Sequence, residues 1–179
     1  MLSLGGRRCA VANVGKNFEQ NFKDSVPKDV YYLRLHDSAI GFDTANSTQR
    51  FALKSPFDCM LYKLPVLYAL ELKSTSGKSV SYRGTSPMIK SHQIQKLREA
   101  ACKGIKAGFI FNFRQSNRTY FLSVGDFDGL TAHQMRTKSS ISELEIINSG
   151  RAILIPQTLK KVNWKYDLDV LFNRGQLTI

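Results

Sequence analysis

Apolar and polar positions along this chain follow two periods, and the places where the period changes mark out its elements. In "GKNFEQNFKDSV", Phe18 and Phe22 stand i, i+4 on one face, which predicts a short amphipathic helix closed by Pro27. "VYYLRLH" (30–36) reads as a strand, and the polar "DSAIGFDTANSTQRFALKS" after it as a loop or small hairpin. Two apolar runs, "FDCMLYK" and "VLYALELK", are separated only by Leu64-Pro65 and predict a hairpin, although Leu-Pro is not a favoured two-residue turn. "STSGKSVSYRGTSPMIK" reads as a Ser/Gly/Lys-rich loop. Ser91 is then placed to cap a helix over "HQIQKLREAACKGI", with Ile94, Leu97 and Ala101 on its inner face. "AGFIFNF" and "TYFLSV" are strands. The tail adds a short helix near "SISELEII", a strand "AILI" and an amphipathic "WKYDLDVLF". The order of helix, three strands, helix, two strands and a mixed tail predicts an α/β fold around a mixed sheet.

A chain of 179 residues suits one domain, and 42% hydrophobic residues exclude a disordered composition. The net charge of +12 and pI near 9.8 change the picture more, because so basic a protein attracts polyanions, nucleic acid first. An anionic membrane ranks below it, since no helix pattern joins a basic face to an apolar one. No apolar run reaches the length of a membrane span, and "MLSLGGRRCAVANVG" does not read as a secretory signal, so the expected location is the cytoplasm. Cys9, Cys59 and Cys102 are scattered and form no C-x-x-C pair, so neither a disulfide framework nor a zinc site is indicated. They read as small thiols in a reducing compartment.

The candidate chemistry lies in the hairpin. If Lys63 and Val66 flank its turn, stepping outward pair by pair sets Asp58 opposite Glu71, with directly opposed Cβ atoms roughly 5 Å apart. Lys73, two residues beyond Glu71, shares that face. Carboxylates so close repel unless a cation lies between them or one is protonated. Oxygen ligands with room for water suit Mg²⁺ or Mn²⁺, and such an ion with a neighbouring lysine is the minimum kit for hydrolysing a phosphodiester. The competing reading of the same spacing is a solvated strand end with an ordinary surface salt bridge.

Several motifs in order, "GKNFEQNF", "SPFDCMLY", "ELK" beginning thirteen positions after the aspartate, "SHQIQKL", "GFIFNF", "TYFLSV" and "KSSISELEI…ILIPQ…YDLDVLF", resemble the PD-(D/E)xK nuclease superfamily, and within it the RecU Holliday-junction resolvases. The resemblance covers roughly residues 13 to 173. It implies a restriction-endonuclease-like core over about 13–128, a C-terminal helix-strand-helix extension over about 129–179 and a short stalk-equivalent segment over about 37–56, in a single nuclease domain. It implies that Asp58 and Glu71 ligate the metal, that Lys73 serves the transition state, that Gln93 is a further metal-proximal ligand and that Glu19 is an acidic residue near the site. Gln93 facing solvent, and Glu19 pairing with Lys16 or Lys23 on its own helix, are the plain alternatives. His92 is expected to point elsewhere on the helix and to be non-catalytic or to contact DNA. The chain departs from the family pattern twice. Pro56, with Ser55 before it, stands where the family has a threonine, and the stalk-equivalent segment is short, with only Arg50 and Lys54 as cations.

For DNA contact the candidates are Lys78, Arg83, Lys90 and Lys96, with Arg98 beside them and with Arg50 and Lys54 from the short segment; a solvated lysine-rich loop is the alternative. Tyr82 either stacks on DNA or packs. "SGKS" is not a P-loop, because Leu72 stands where its first glycine would be. The expected activity is Mg²⁺-dependent (or Mn²⁺-dependent) cleavage of branched DNA by a homodimer, since two symmetric cuts favour two-fold symmetry. A nuclease for other branched or duplex DNA and a non-catalytic DNA-binding factor are the rivals.

Overall fold

The computed structural model describes residues 14–36, 38–41, 50–132 and 137–173. Cys9, the middle of the short segment at 42–49 and the side chain of Arg50 lie outside the described residues. The fold is α/β: a six-stranded mixed sheet with helices on both faces. Strands β1 (Tyr31–Arg34), β4 (Cys59–Lys63), β5 (Val66–Thr75), β7 (Lys106–Phe113), β8 (Arg118–Ser123) and β10 (Ile153–Ile155) make the sheet, in spatial order β1-β4-β5-β7-β8-β10. All neighbours are antiparallel except β5 and β7. That parallel pair sits mid-sheet and is covered on both faces, which is why β7 reads as an almost unbroken apolar run rather than an alternating one.

Helix α1 (Val14–Asp24) lies over one face with α5 (Asp169–Asn173), and α2 (Ser91–Ala101) and α3 (Val124–Ala132) over the other. Phe18 and Phe22 are buried as the i, i+4 pattern predicts, against Tyr166 and Leu168. Across the sheet, Phe109, Phe111 and Phe113 on β7 pack with Leu97 and Phe127. Gly108 lets β7 and β8 close: a Cβ there would lie 2.4 Å from the Leu122 carbonyl oxygen.

The segment 37–55 takes the hairpin form of the two read for it, β2 (Ser38–Gly41) with β3 (Arg50–Leu53). Several local expectations are corrected. The loop after β5 contains β6 (Ser79–Ser81), paired with β9 (Ser140–Ser142), and α3 occupies a stretch for which no element was read. The N-cap of α2 is Lys90, not Ser91, because the Gln93 side chain accepts the Lys90 amide (2.8 Å) and turns the chain one residue earlier. The third inward residue of α2 is Ala100, not Ala101, which is exposed. In the tail, α4 (Glu143–Asn148) matches the expected short helix, whereas "WKYDLDVLF" divides between β12 (Asn163–Tyr166), paired with β11 (Gln157–Lys160), and α5.

Candidate active site

The β4–β5 hairpin has the register read from the sequence, Lys63 opposite Val66 and Cys59 opposite Leu70. One step further, Asp58 is clamped by its backbone: its amide donates to the Leu70 carbonyl (3.1 Å) and its carbonyl accepts the Leu35 amide (2.9 Å). Its carboxylate accepts the Leu72 amide at 2.7 Å, so the side chain leans across onto β5. This fixes one carboxylate beside Glu71.

Glu71 is 1% exposed, which excludes the solvated strand end. Its Oε1 accepts from Lys73 Nζ at 2.8 Å and from Gln93 Nε2 at 2.5 Å. Its Oε2 is buried and has no hydrogen-bond partner among the described residues. Burial first, and the Asp58 charge second, raise the Glu71 carboxyl to about 8, against the pull of Lys73. A buried carboxylate with a vacant lone-pair face next to a second carboxylate is an arrangement a cation relieves. The same burial and the same two carboxylates push the Cys59 thiol up, which keeps it neutral.

Helix α2 is aimed by this contact. Gln93 sits in its first turn, and its two ends are both used, Oε1 on the Lys90 amide and Nε2 on Glu71. In this arrangement Gln93 supports Glu71 and does not offer its own oxygen. It does not face solvent. His92, expected to point elsewhere, shares the cleft with Gln93.

A cleft of about 350 Å³ opens over these groups, lined by Asp58, Glu71 and Gln93 and by Arg34, His36, Lys54, Ser55, Lys90 and His92, with Leu35 and Phe57. Asp58, Glu71, Lys73 and Gln93 therefore come together, and Lys54 and Lys90 come to the same cleft. Glu19 reaches it only at second hand. Its carboxylate pairs with Arg34, and Arg34 lines the cleft. Lys78 and Arg83 are exposed on the stretch after β5 and do not line it. Lys96 is exposed and paired with Glu99 (2.6 Å), and Arg98 grips Asp128 of α3 with two hydrogen bonds. Tyr82 packs against Phe127, ring centroids 5.6 Å apart, and is 6% exposed.

Sequence reasoning missed Arg34 and His36. They arrive through the pairing of β1 with β4, which sets Arg34 opposite Cys59 and carries the chain on past Asp58 into the cleft. Among the described residues, no group of three or more His, Cys, Asp or Glu side chains gathers as a metal site. The donors here are two carboxylates, one with its outer oxygen unpartnered, and such a sparse oxygen set fits a divalent ion that keeps several waters.

No family model matches the chain. It is 31% identical over 170 residues to the "SPbeta prophage-derived uncharacterized protein YotM" of Bacillus subtilis (strain 168), an alignment covering 89% of this chain and 85% of that one. Among solved structures it is similar to Archaeoglobus fulgidus Hjc, a Holliday junction resolvase from an archaeal hyperthermophile, with a TM-score of 0.44 and 16% identity over 73% of this chain and 90% of that chain. That superposition is too loose to carry an argument. No described helix is long and apolar enough to cross a membrane.

Proposed function

This chain belongs to the family of the SPbeta prophage-derived YotM protein, and for it we propose a divalent-metal-dependent DNA endonuclease activity of the PD-(D/E)xK kind, directed at branched DNA. The observation that carries the proposal is Glu71: buried, beside Asp58, held by Lys73 and Gln93, and still lacking a partner for one oxygen. The cations that line the same cleft, together with the net charge of +12, suit a polyanionic substrate.

Asp58 and Glu71 would hold Mg²⁺ or Mn²⁺. An ion there supplies Lewis-acid polarisation of a phosphodiester and lowers the pKa of water. The remaining work belongs to side chains of the protein. Gln93 fixes the Glu71 rotamer through Oε1. Lys73 Nζ, charged and close to the carboxylate, stabilises negative charge building on a phosphate and holds a proton near the reacting oxygens. Lys54, Lys90, His36 and Arg34 draw the backbone into the cleft, with Arg34 kept in position by Glu19. Lys78, Arg83, Lys96 and Arg50 would contact flanking duplex. Paired cuts on a four-way junction call for two copies related by a two-fold axis, hence a homodimer acting on DNA in the cytoplasm.

A strand-labelled four-way junction incubated with Mg²⁺ tests this. Wild type should nick it and Asp58→Ala should lose at least ~100-fold in rate. Equal cutting by the two overturns the site assignment. A second substrate reading, flap or duplex DNA, is favoured by the shortness of the 37–56 segment. An excess of unlabelled linear duplex that abolishes junction cutting would select it. Binding without turnover in either Mg²⁺ or Mn²⁺ would instead indicate a non-catalytic DNA-binding factor.

A further inference from the structure

On the opposite face of the sheet, at the same end of β5 as Lys73, lies a second cleft of about 220 Å³. Its lining sets carboxamides and one guanidinium among aromatic and apolar side chains, Phe18, Val162 and Tyr166 included. Asn17 and Asn21 come from α1, Asn112 and Arg114 from the end of β7, Asn117 from the turn after it and Trp164 from β12. No acidic residue lines it. Among the described residues the side chains of Asn17, Asn21, Asn117 and Arg114 make no hydrogen bond or ion pair, so these donors and acceptors are available to a ligand.

One wall is the β11–β12 hairpin. Residues 157–166, "QTLKKVNWKY", contain three lysines and no acid. The hairpin is rooted firmly: Tyr166 packs edge-on against Phe18 (5.6 Å), and the Gln157 side chain accepts from Thr119 at 2.5 Å. Thr119 in turn accepts from Asn112 (2.9 Å), and Asn112 accepts from Ser74 (2.9 Å). A line of side-chain hydrogen bonds thus runs from the strand that carries Glu71 and Lys73 to the root of the hairpin. The tip projects, with Val162 85% exposed and Lys160 and Lys161 beside it.

We infer that this cleft takes an unpaired base of a single DNA strand, with the hairpin lysines on the adjoining phosphates. A carboxamide presents a donor and an acceptor side by side, as a base edge does. An indole offers a stacking surface that tolerates any base. A guanidinium at the rim suits a phosphate, and lysines on the projecting tip add sequence-independent attraction. A duplex is far too wide for a cleft of this volume, whereas a single extruded or unpaired base is not. The Arg114 amide bonds the Thr75 carbonyl (2.9 Å), so Arg114 stands where a strand leaving the catalytic cleft would round the end of the sheet. The inference rests on the nucleic-acid part of the proposed function and not on its cation chemistry.

Trp164 is the chain's only tryptophan, so its fluorescence reads this cleft alone. The full chain is titrated with oligo(dT) in EDTA, where no cleavage occurs, and separately with polyphosphate, which has charge but no bases. Oligo(dT) should quench Trp164 saturably and polyphosphate should not. Arg114→Glu and, independently, Asn17→Asp should each weaken binding of a labelled oligo(dT) roughly ten-fold or more by anisotropy, with circular dichroism unchanged, while Asp58→Asn quenches like wild type. Absence of quenching, or equal quenching by polyphosphate, overturns the inference, as does unchanged affinity in both charge variants. Junction nicking without quenching would reject this site and leave the nuclease reading standing; quenching without nicking would do the reverse.

Discussion

Glu71 is the residue on which the proposed chemistry turns. Its carboxyl is raised from its ordinary 4.5 to about 8, so the folded, cation-free protein favours the protonated form. The sign follows: the stability this group contributes is full below about 4.5 and is lost as pH rises through about 8. Glu71→Gln keeps an acceptor for Lys73 and Gln93 and replaces the orphaned oxygen with an NH₂ group beside Asp58. It should raise the cation-free stability by roughly 1–3 kcal/mol at neutral to alkaline pH and flatten its decline with pH, while abolishing turnover. Thermal melts of both proteins across that pH range check this, and a steeper decline in the variant would contradict it. The Asp58–Glu71 juxtaposition was legible in the sequence because the two apolar runs and the two-residue turn between them together set the antiparallel register. Arg34 and His36 were not, because which strand flanks β4 is a tertiary choice with no local signature.

At the scale of elements, the tight places are where backbones meet. Gly108 stands on β7 with no room for a side chain against β8. Gly108→Ala should cost about 2 kcal/mol or more, because backbone at 2.4 Å cannot give way as a flexible side chain would. Urea unfolding measures it, and a neutral effect would show that the β7–β8 spacing is softer than drawn. The long periodic or apolar segments (α1, α2, β5, β7 and β8) could be read from the sequence, since each buries a face or both faces. The elements that escaped are short or weakly amphipathic: β6 and β9 pair across distant stretches of sequence, β11 is a four-residue strand with no apolar alternation, and α3 has no strong apolar face. The cap of α2 was misplaced by one residue because Gln93, committed to Glu71, also accepts the Lys90 amide. A tertiary contact thereby overrode a serine that local preference favoured.

For the whole molecule, the excess of 26 basic over 14 acidic side chains would make the proposed DNA affinity a salt-dependent quantity. Lys90, exposed at the cleft, should lower the slope of log affinity against log salt by about 1 when changed to alanine, whatever the DNA sequence. An unchanged slope in a filter-binding or anisotropy series would remove Lys90 from the interface. Among the described residues, a basic, carboxylate-floored cleft on the α2 face and a cleft lined by carboxamides and aromatic rings on the α1 face are joined through β5. The claim beneath all of this is that Asp58 and Glu71 form one divalent-cation site. Calorimetric titration of Mn²⁺ into wild type and into Asp58→Asn, at a pH near 8, tests it most directly. The substitution keeps an acceptor for the Leu72 amide, so the hairpin stays intact. Saturable binding near one ion per chain in wild type, lost in Asp58→Asn, is the predicted result; equal heats from both proteins, or none from wild type, would contradict it.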